Sequence, residues 1–138
     1  MKFNRKLEYA LMALKHMHHK HPGEVTSVKE ISDAYGCSPD VTAKVLQKLC
    51  RSGVLSSTQG IQGGYMIKKD LNKLNFYDLS NIVLGKQGIV KCIHGSNNCS
   101  IKSSCNIIKP ISILNSRIEG FYRSLSVTQI IREASHEH

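Results

Sequence analysis

Ser38-Pro39-Asp40-Val41-Thr42-Ala43-Lys44-Val45-Leu46-Gln47-Lys48-Leu49-Cys50-Arg51-Ser52-Gly53 runs directly into Val54-Leu55-Ser56-Ser57-Thr58, and the reading of this junction decides the fold. Ser38 is a hydroxyl cap, and Pro39 takes the first helical position, where a missing N–H costs nothing. Val41, Val45, Leu46 and Leu49 then recur at helical spacing as far as Gly53. Upstream, Ser27 and Glu30 stand in a capping-box arrangement, Ile31 and Ala34 extend an apolar face, and Tyr35-Gly36 ends the segment. Two short helices around a glycine-containing turn form a helix-turn-helix. Downstream, Val54–Thr58 and Tyr65-Met66-Ile67 read as paired strands around the loop Gln59-Gly60-Ile61-Gln62-Gly63-Gly64. A helix-turn-helix followed at once by a β-hairpin is a winged helix. The loop glycines serve turn geometry. A nucleotide-cradling loop needs a strand–loop–helix unit, and none surrounds them.

On the N-terminal side, residues 5–20 read as a helix with Leu7, Leu11, Leu14 and Met17 on one face. Lys15, His16, His18, His19 and Lys20 gather at its C-terminal end, where the helix dipole favours positive charge, and Pro22-Gly23 stops it. On the C-terminal side, Leu74 to Val83 reads as a short helix and residues 85–104 as irregular. Ile107, Ile111, Leu114, Ile118, Phe121 and Leu125 then follow at alternating spacings of four and three, a heptad seam. A long helix leaving a small winged domain favours a twin, so a homodimer through these six residues is expected. The expected architecture is mainly α with a small β-hairpin. It comprises a winged helix-turn-helix domain (1–84), a cysteine-containing cluster-binding loop (85–105), and a dimerisation helix with a C-terminal tail (106–138).

Charge narrows the function. Among 138 residues, 19 Lys and Arg stand against 10 Asp and Glu, a formal net charge of +9. That excess on a small domain favours a phosphate-rich partner. At 41% apolar and 21% charged, the chain can bury a core. No apolar run approaches the ~18 to 20 residues of a membrane helix. Leu7-Glu8-Tyr9 places a charge where an export signal would be apolar, so the expected location is the cytoplasm. No Ser/His/Asp or paired-carboxylate constellation is evident, so no enzyme and no small-molecule substrate are expected.

Five cysteines, an odd count, argue against a disulfide framework. Cys37 and Cys50 lie among helix-like residues and read as small buried apolar groups. Cys92, Cys99 and Cys105 instead share one Gly- and Ser-rich segment, separated by gaps of six and five residues. Structural zinc pairs its ligands more closely. Three spaced thiols in a pliable loop suit a larger soft-metal core such as an iron–sulfur cluster. Lys91 and Lys102 would offset its negative charge. A fourth ligand must come from His94, from Glu8, or from a histidine elsewhere.

Taken together, Glu8-Tyr9-Ala10 leading a helix, Leu49-Cys50-Arg51-Ser52-Gly53-Val54-Leu55 closing a helix-turn-helix, Gly63-Gly64-Tyr65, three loop cysteines and a long helix resemble the iron–sulfur regulators typified by IscR and NsrR. The resemblance covers nearly the whole chain. It implies a dimeric transcription factor that binds palindromic double-stranded DNA and holds a cluster on Cys92, Cys99 and Cys105, with [2Fe–2S] preferred over [4Fe–4S]. It also implies Glu8, supplied by the partner subunit, as fourth ligand ahead of His94. The chain departs from the pattern at several points. Ile108 stands where IscR-like members carry a ligand histidine, and the first cysteine gap is one residue longer. Ala43 replaces a base-reading glutamate, and Gln59 replaces a wing arginine, so the operator differs from theirs.

On this reading Ser38, Asp40, Thr42, Lys44 and Gln47 face the major groove. Lys48, Arg51, Ser57, Thr58 and Gln59 grip phosphates or the minor groove. Gain, loss or nitrosylation of the cluster would change the spacing of the two reading heads and so the operator affinity, as expected of a regulator that senses iron–sulfur status, nitric oxide or redox state. The alternatives are a regulator of the same fold that senses by thiol oxidation, or a plain repressor.

Overall fold

The computed structural model describes residues 4–86 and 100–133. Helix α1 (Arg5–His18) begins where Asn4 Oδ1 accepts from the Lys6 N–H, and it buries Leu7, Ala10, Ala13, Leu14 and Met17 along one stripe. Helix α2 (Val28–Tyr35) starts at Ser27, whose Oγ accepts from the Glu30 N–H at 3.0 Å. Gly36 ends it in the left-handed region at φ 70°, a conformation open to glycine without steric cost. Helix α3 (Pro39–Arg51) follows its serine cap and turns Thr42, Val45, Leu46 and Leu49 inward. It packs on both α1 and α2, which completes the helix-turn-helix.

Strands β1 (Leu55–Thr58) and β2 (Gly64–Ile67) form an antiparallel hairpin, with Leu55 opposite Ile67 and Thr58 opposite Gly64. Val54 precedes β1, is buried, and its carbonyl accepts from the N–H groups of Lys68 and Lys69. Thr26 adds a bridge on the other side of β2, exchanging backbone bonds of 2.8 and 2.9 Å with Tyr65. A 3₁₀ turn (Leu71–Lys73) leads to α4 (Phe76–Leu84), capped by Asn75.

A second 3₁₀ turn (Lys102–Ser104) precedes α5 (Ile108–Arg123), which packs on α4. Phe76 meets Tyr122 edge to face at 4.9 Å, and the Arg123 guanidinium lies 4.0 Å over the Tyr77 ring. Helix α6 (Val127–Glu133) closes the fold.

The C-terminal third corrects the expected boundaries. Ile107 is the cap of α5 rather than a helical position, and Leu125 lies beyond its end. Ser124 stops the helix: its N–H bonds back to Gly120 and Phe121, and its Oγ to the Phe121 carbonyl at 2.6 Å. The chain then turns inward. The Leu125 carbonyl accepts from Phe76 N–H, and Val127 N–H donates to the Leu74 carbonyl. Val127 and Ile131, four apart on α6, enter the same core as α1, α3 and α4. Residues 125–133 therefore complete the winged-helix body instead of trailing from a dimerisation module, because their apolar pair buries against it.

Candidate nucleic-acid interface and cysteine segment

Helix α3 has two unlike faces. Asp40, Lys44, Gln47 and Arg51, spaced four, three and four apart, are all exposed and form one polar stripe. Ser38 sits half-buried at the head of the helix. Its Oγ accepts from Val41 N–H, and its own N–H donates to the Tyr9 hydroxyl. Two of the expected DNA-facing residues do not share this exposed stripe. Thr42 is only 1% exposed, because helical phase sets it one turn from Val45 and Leu46 on the core side. Lys48 is half-buried and turned toward the body, its Nζ donating to the Val83 carbonyl at 3.0 Å at the C-terminal end of α4.

The wing stands beside this stripe in sequence and carries Ser57, Thr58 and Gln59, all exposed. Ile61, Gln62, Lys68 and Lys69 are exposed as well. None of these four is among the expected DNA-facing residues. Lys68 and Lys69 were legible as basic residues, whereas the exposure of Ile61 had no local signal.

Behind the reading helix, a polar cluster ties α1 to α2. His16 Nδ1 lies 2.6 Å from the Tyr35 hydroxyl, and His16 Nε2 2.6 Å from Glu30 Oε2. Lys20 Nζ lies 2.7 Å from the same carboxylate oxygen and donates to the Val25 carbonyl. The bond from Lys20, followed by that from His16, holds the Glu30 carboxyl below its ordinary range against a partly opposing loss of water. So the Glu30 side chain serves α1, while only the backbone half of the expected capping box forms. Burial pushes the Cys37 thiol up, away from the thiolate form.

Of the cysteine triad, Cys105 is described. It is a free, half-buried thiol at the exit of the second 3₁₀ turn, three residues before α5 begins. Cys92, His94 and Cys99 lie outside the described residues. Glu8 is half-buried in the first turn of α1, its Oε1 3.5 Å from Arg5 Nε. Among the described residues no three metal-binding side chains converge. Ile108, at the position of the family's histidine, opens α5 and is exposed.

The seam residues divide. Ile111 and Ile118 are half-buried, whereas Leu114 and Phe121 are exposed, as are Ile107 and Ile113. The one fully buried residue of α5 is Asn115, whose Nδ2 donates to Glu119 Oε2 at 2.9 Å. No helix among the described residues is long and apolar enough to cross a membrane.

The fold is similar to three solved structures. CymR of B. subtilis, titled the global cysteine regulator, superposes with a TM-score of 0.71 at 17% identity, over 100% of this chain and 99% of that one. The oxidized form of Staphylococcus aureus CymR gives 0.71 at 18%, over 96% and 97%. T. potens IscR gives 0.69 at 18%, over 100% and 93%. At such identities the likeness establishes the winged-helix fold. Residues 3–133 match the profile of the Rrf2 family, described as iron-dependent transcriptional regulators. The chain belongs to this Rrf2 family of transcriptional regulators, and it is a regulator rather than an enzyme.

Proposed function

We propose that this regulator acts as a homodimer on a palindromic operator and that an iron–sulfur cluster held by Cys92, Cys99 and Cys105 sets its affinity for DNA. The observation that carries this reading is the free, half-buried Cys105 thiol beside the foot of α5, with Leu114 and Phe121 exposed further along the same helix. The donor set suits the group: three thiols for soft iron, with a carboxylate from Glu8 of the second subunit or the His94 imidazole as fourth ligand. When bound, such a cluster supplies a centre that reacts with oxidants and nitric oxide. The residues of the chain do the rest. Leu114 and Phe121 pair the two subunits, and Cys105 ties the loop to the start of α5. Asp40, Lys44, Gln47 and Arg51 meet the duplex. A tilt of one α5 against its twin alters the separation of the two α3 helices, and a coupling of about 1 to 3 kcal/mol suffices for regulation.

Anaerobic purification with visible spectroscopy and iron and sulfide quantification tests this. The expected result is charge-transfer absorption with matched iron and sulfide, lost in Cys92→Ser. A protein that stays colourless and iron-free after reconstitution rejects it. Thiol switching without a cluster is the second reading. The similarity to CymR, titled a cysteine regulator and solved in an oxidized form, favours it. An iron-free chain whose DNA affinity changes with oxidant alone would establish that reading.

A further inference from the structure

We propose that Ile61, at the tip of the wing, is an apolar wedge for the DNA minor groove, seated against A·T pairs between the amides of Gln59 and Gln62; this rests on the DNA-binding reading above. Ile61 is the most exposed of the large apolar side chains among the described residues, at 105% of its reference area. A lone exposed isoleucine is ordinary on a smooth surface. Here it crowns a hairpin whose shape is fixed before any partner arrives.

Several contacts fix that shape. Gly60 adopts φ 108° and its carbonyl accepts from Gly63 N–H at 3.0 Å, closing the tip. A Cβ on Gly63 would stand 2.0 Å from the Thr58 carbonyl oxygen, so only glycine lets the loop turn back so tightly. At the other end Gly64 lies against the Thr26 backbone, where a Cβ would meet it at 2.7 Å. The bonds between Thr26 and Tyr65 anchor β2 to the start of α2. A preformed tip loses little freedom on binding, and the β-branched side chain is itself stiff at χ1.

The chemistry of the tip then selects its seat. The minor groove is about 6 Å wide, and its floor shows N3 and O2 acceptors at A·T pairs, with an added N2 amino group at G·C. Exposed Gln59 and Gln62 carry amide donors that suit those acceptors. An aliphatic tip between them fits a floor without the projecting amino group, and insertion of such side chains is a known use of apolar wedges in DNA binding. Carrying no charge, Ile61 displaces no counterion, so its contribution is independent of salt.

The test uses a duplex selected by the wild-type chain from a randomised pool, with affinities measured across a salt series. Ile61→Ser is expected to bind that duplex about tenfold more weakly with an unchanged salt slope. Ile61→Arg is expected to steepen the slope by about 1. Both variants should melt as the wild type does, since the side chain stands free of the body. Replacing A·T pairs in turn by G·C or by inosine·C separates the grooves, because inosine lacks the minor-groove amino group. At the wing position inosine·C should keep the affinity that G·C loses. Equal binding by Ile61→Ser overturns the proposal, as does inosine·C failing alongside G·C. A wild-type chain that selects no duplex overturns the DNA-binding reading, and this inference with it.

Discussion

Thr26 is fully buried, yet its hydroxyl has no hydrogen-bond partner among the described residues, while its backbone N–H and carbonyl both pair with Tyr65. Thr26→Val exchanges that stranded hydroxyl for a methyl of the same shape and keeps the β-branched backbone preference. The variant is expected to be as stable as the wild type or about 1 kcal/mol more stable in urea unfolding. Glu30 makes the opposite case. Its carboxyl is held down by Lys20 and His16, so its folded value lies below the unfolded one of about 4.5. A depressed carboxyl contributes stability that is complete above the unfolded value and lost as pH falls through the folded one. Glu30→Gln should therefore lower the melting temperature at pH 7 by a degree or two, and the gap to wild type should close below about pH 4.5. Neither role was visible in the chain alone. Its spacing from Ser27 marks Glu30 only as the second half of a capping box, a local motif, because nothing in the sequence shows that the end of α1 lies alongside it.

The same limit operates on whole elements. The serine caps of α2 and α3 and the apolar phases of α1 to α4 were legible, since serine, proline and glycine act on their immediate neighbours. Helix α3 also shows the limit of residue type: the Thr42 hydroxyl suits an outward, base-reading position, yet its phase puts it beside Val45 and Leu46. The heptad in α5 was legible as a pattern but not as a partner choice. Ile111 and Ile118 are half-buried, while Leu114 and Phe121 stay exposed. Leu114→Glu with Phe121→Glu should leave the monomer fold intact, because both side chains lie outside its core. If α5 pairs two subunits as proposed, the wild type is expected to sediment as a dimer and the double variant as a monomer. A wild type that is already monomeric in analytical ultracentrifugation would remove α5 as the pairing helix.

At the scale of the molecule, one hydrophobic core joins the first helix to the last. Ile131 on α6 is 5% exposed among residues of that core. Ile131→Ala should cost roughly 2 to 4 kcal/mol, and unfolding should remain one cooperative transition. Two transitions would mean that α6 is a separate unit. The net charge of +9 acts at the same scale. DNA affinity should fall linearly with the logarithm of salt concentration, and Lys44→Ala and Arg51→Ala should each flatten that slope by about 1. Lys48→Ala should flatten the slope less than Lys44→Ala does, since its half-buried ammonium is held at the Val83 carbonyl instead of standing exposed on the α3 stripe.

By itself the sequence determined the helix-turn-helix, the hairpin, the basic balance and the three-cysteine segment, because caps, turns, periodicity and composition are short-range or additive properties. Only the tertiary structure decided which side of each element meets the body. Packing between residues far apart in the chain turns Thr42 and Lys48 inward, draws Leu125, Val127 and Ile131 onto α1 and α4, and leaves Leu114, Phe121 and Ile61 in solvent. A heptad seam reads the same whether it covers its own core or a twin, and an isoleucine in a loop reads the same buried or bare. Long-range contact alone separates those cases.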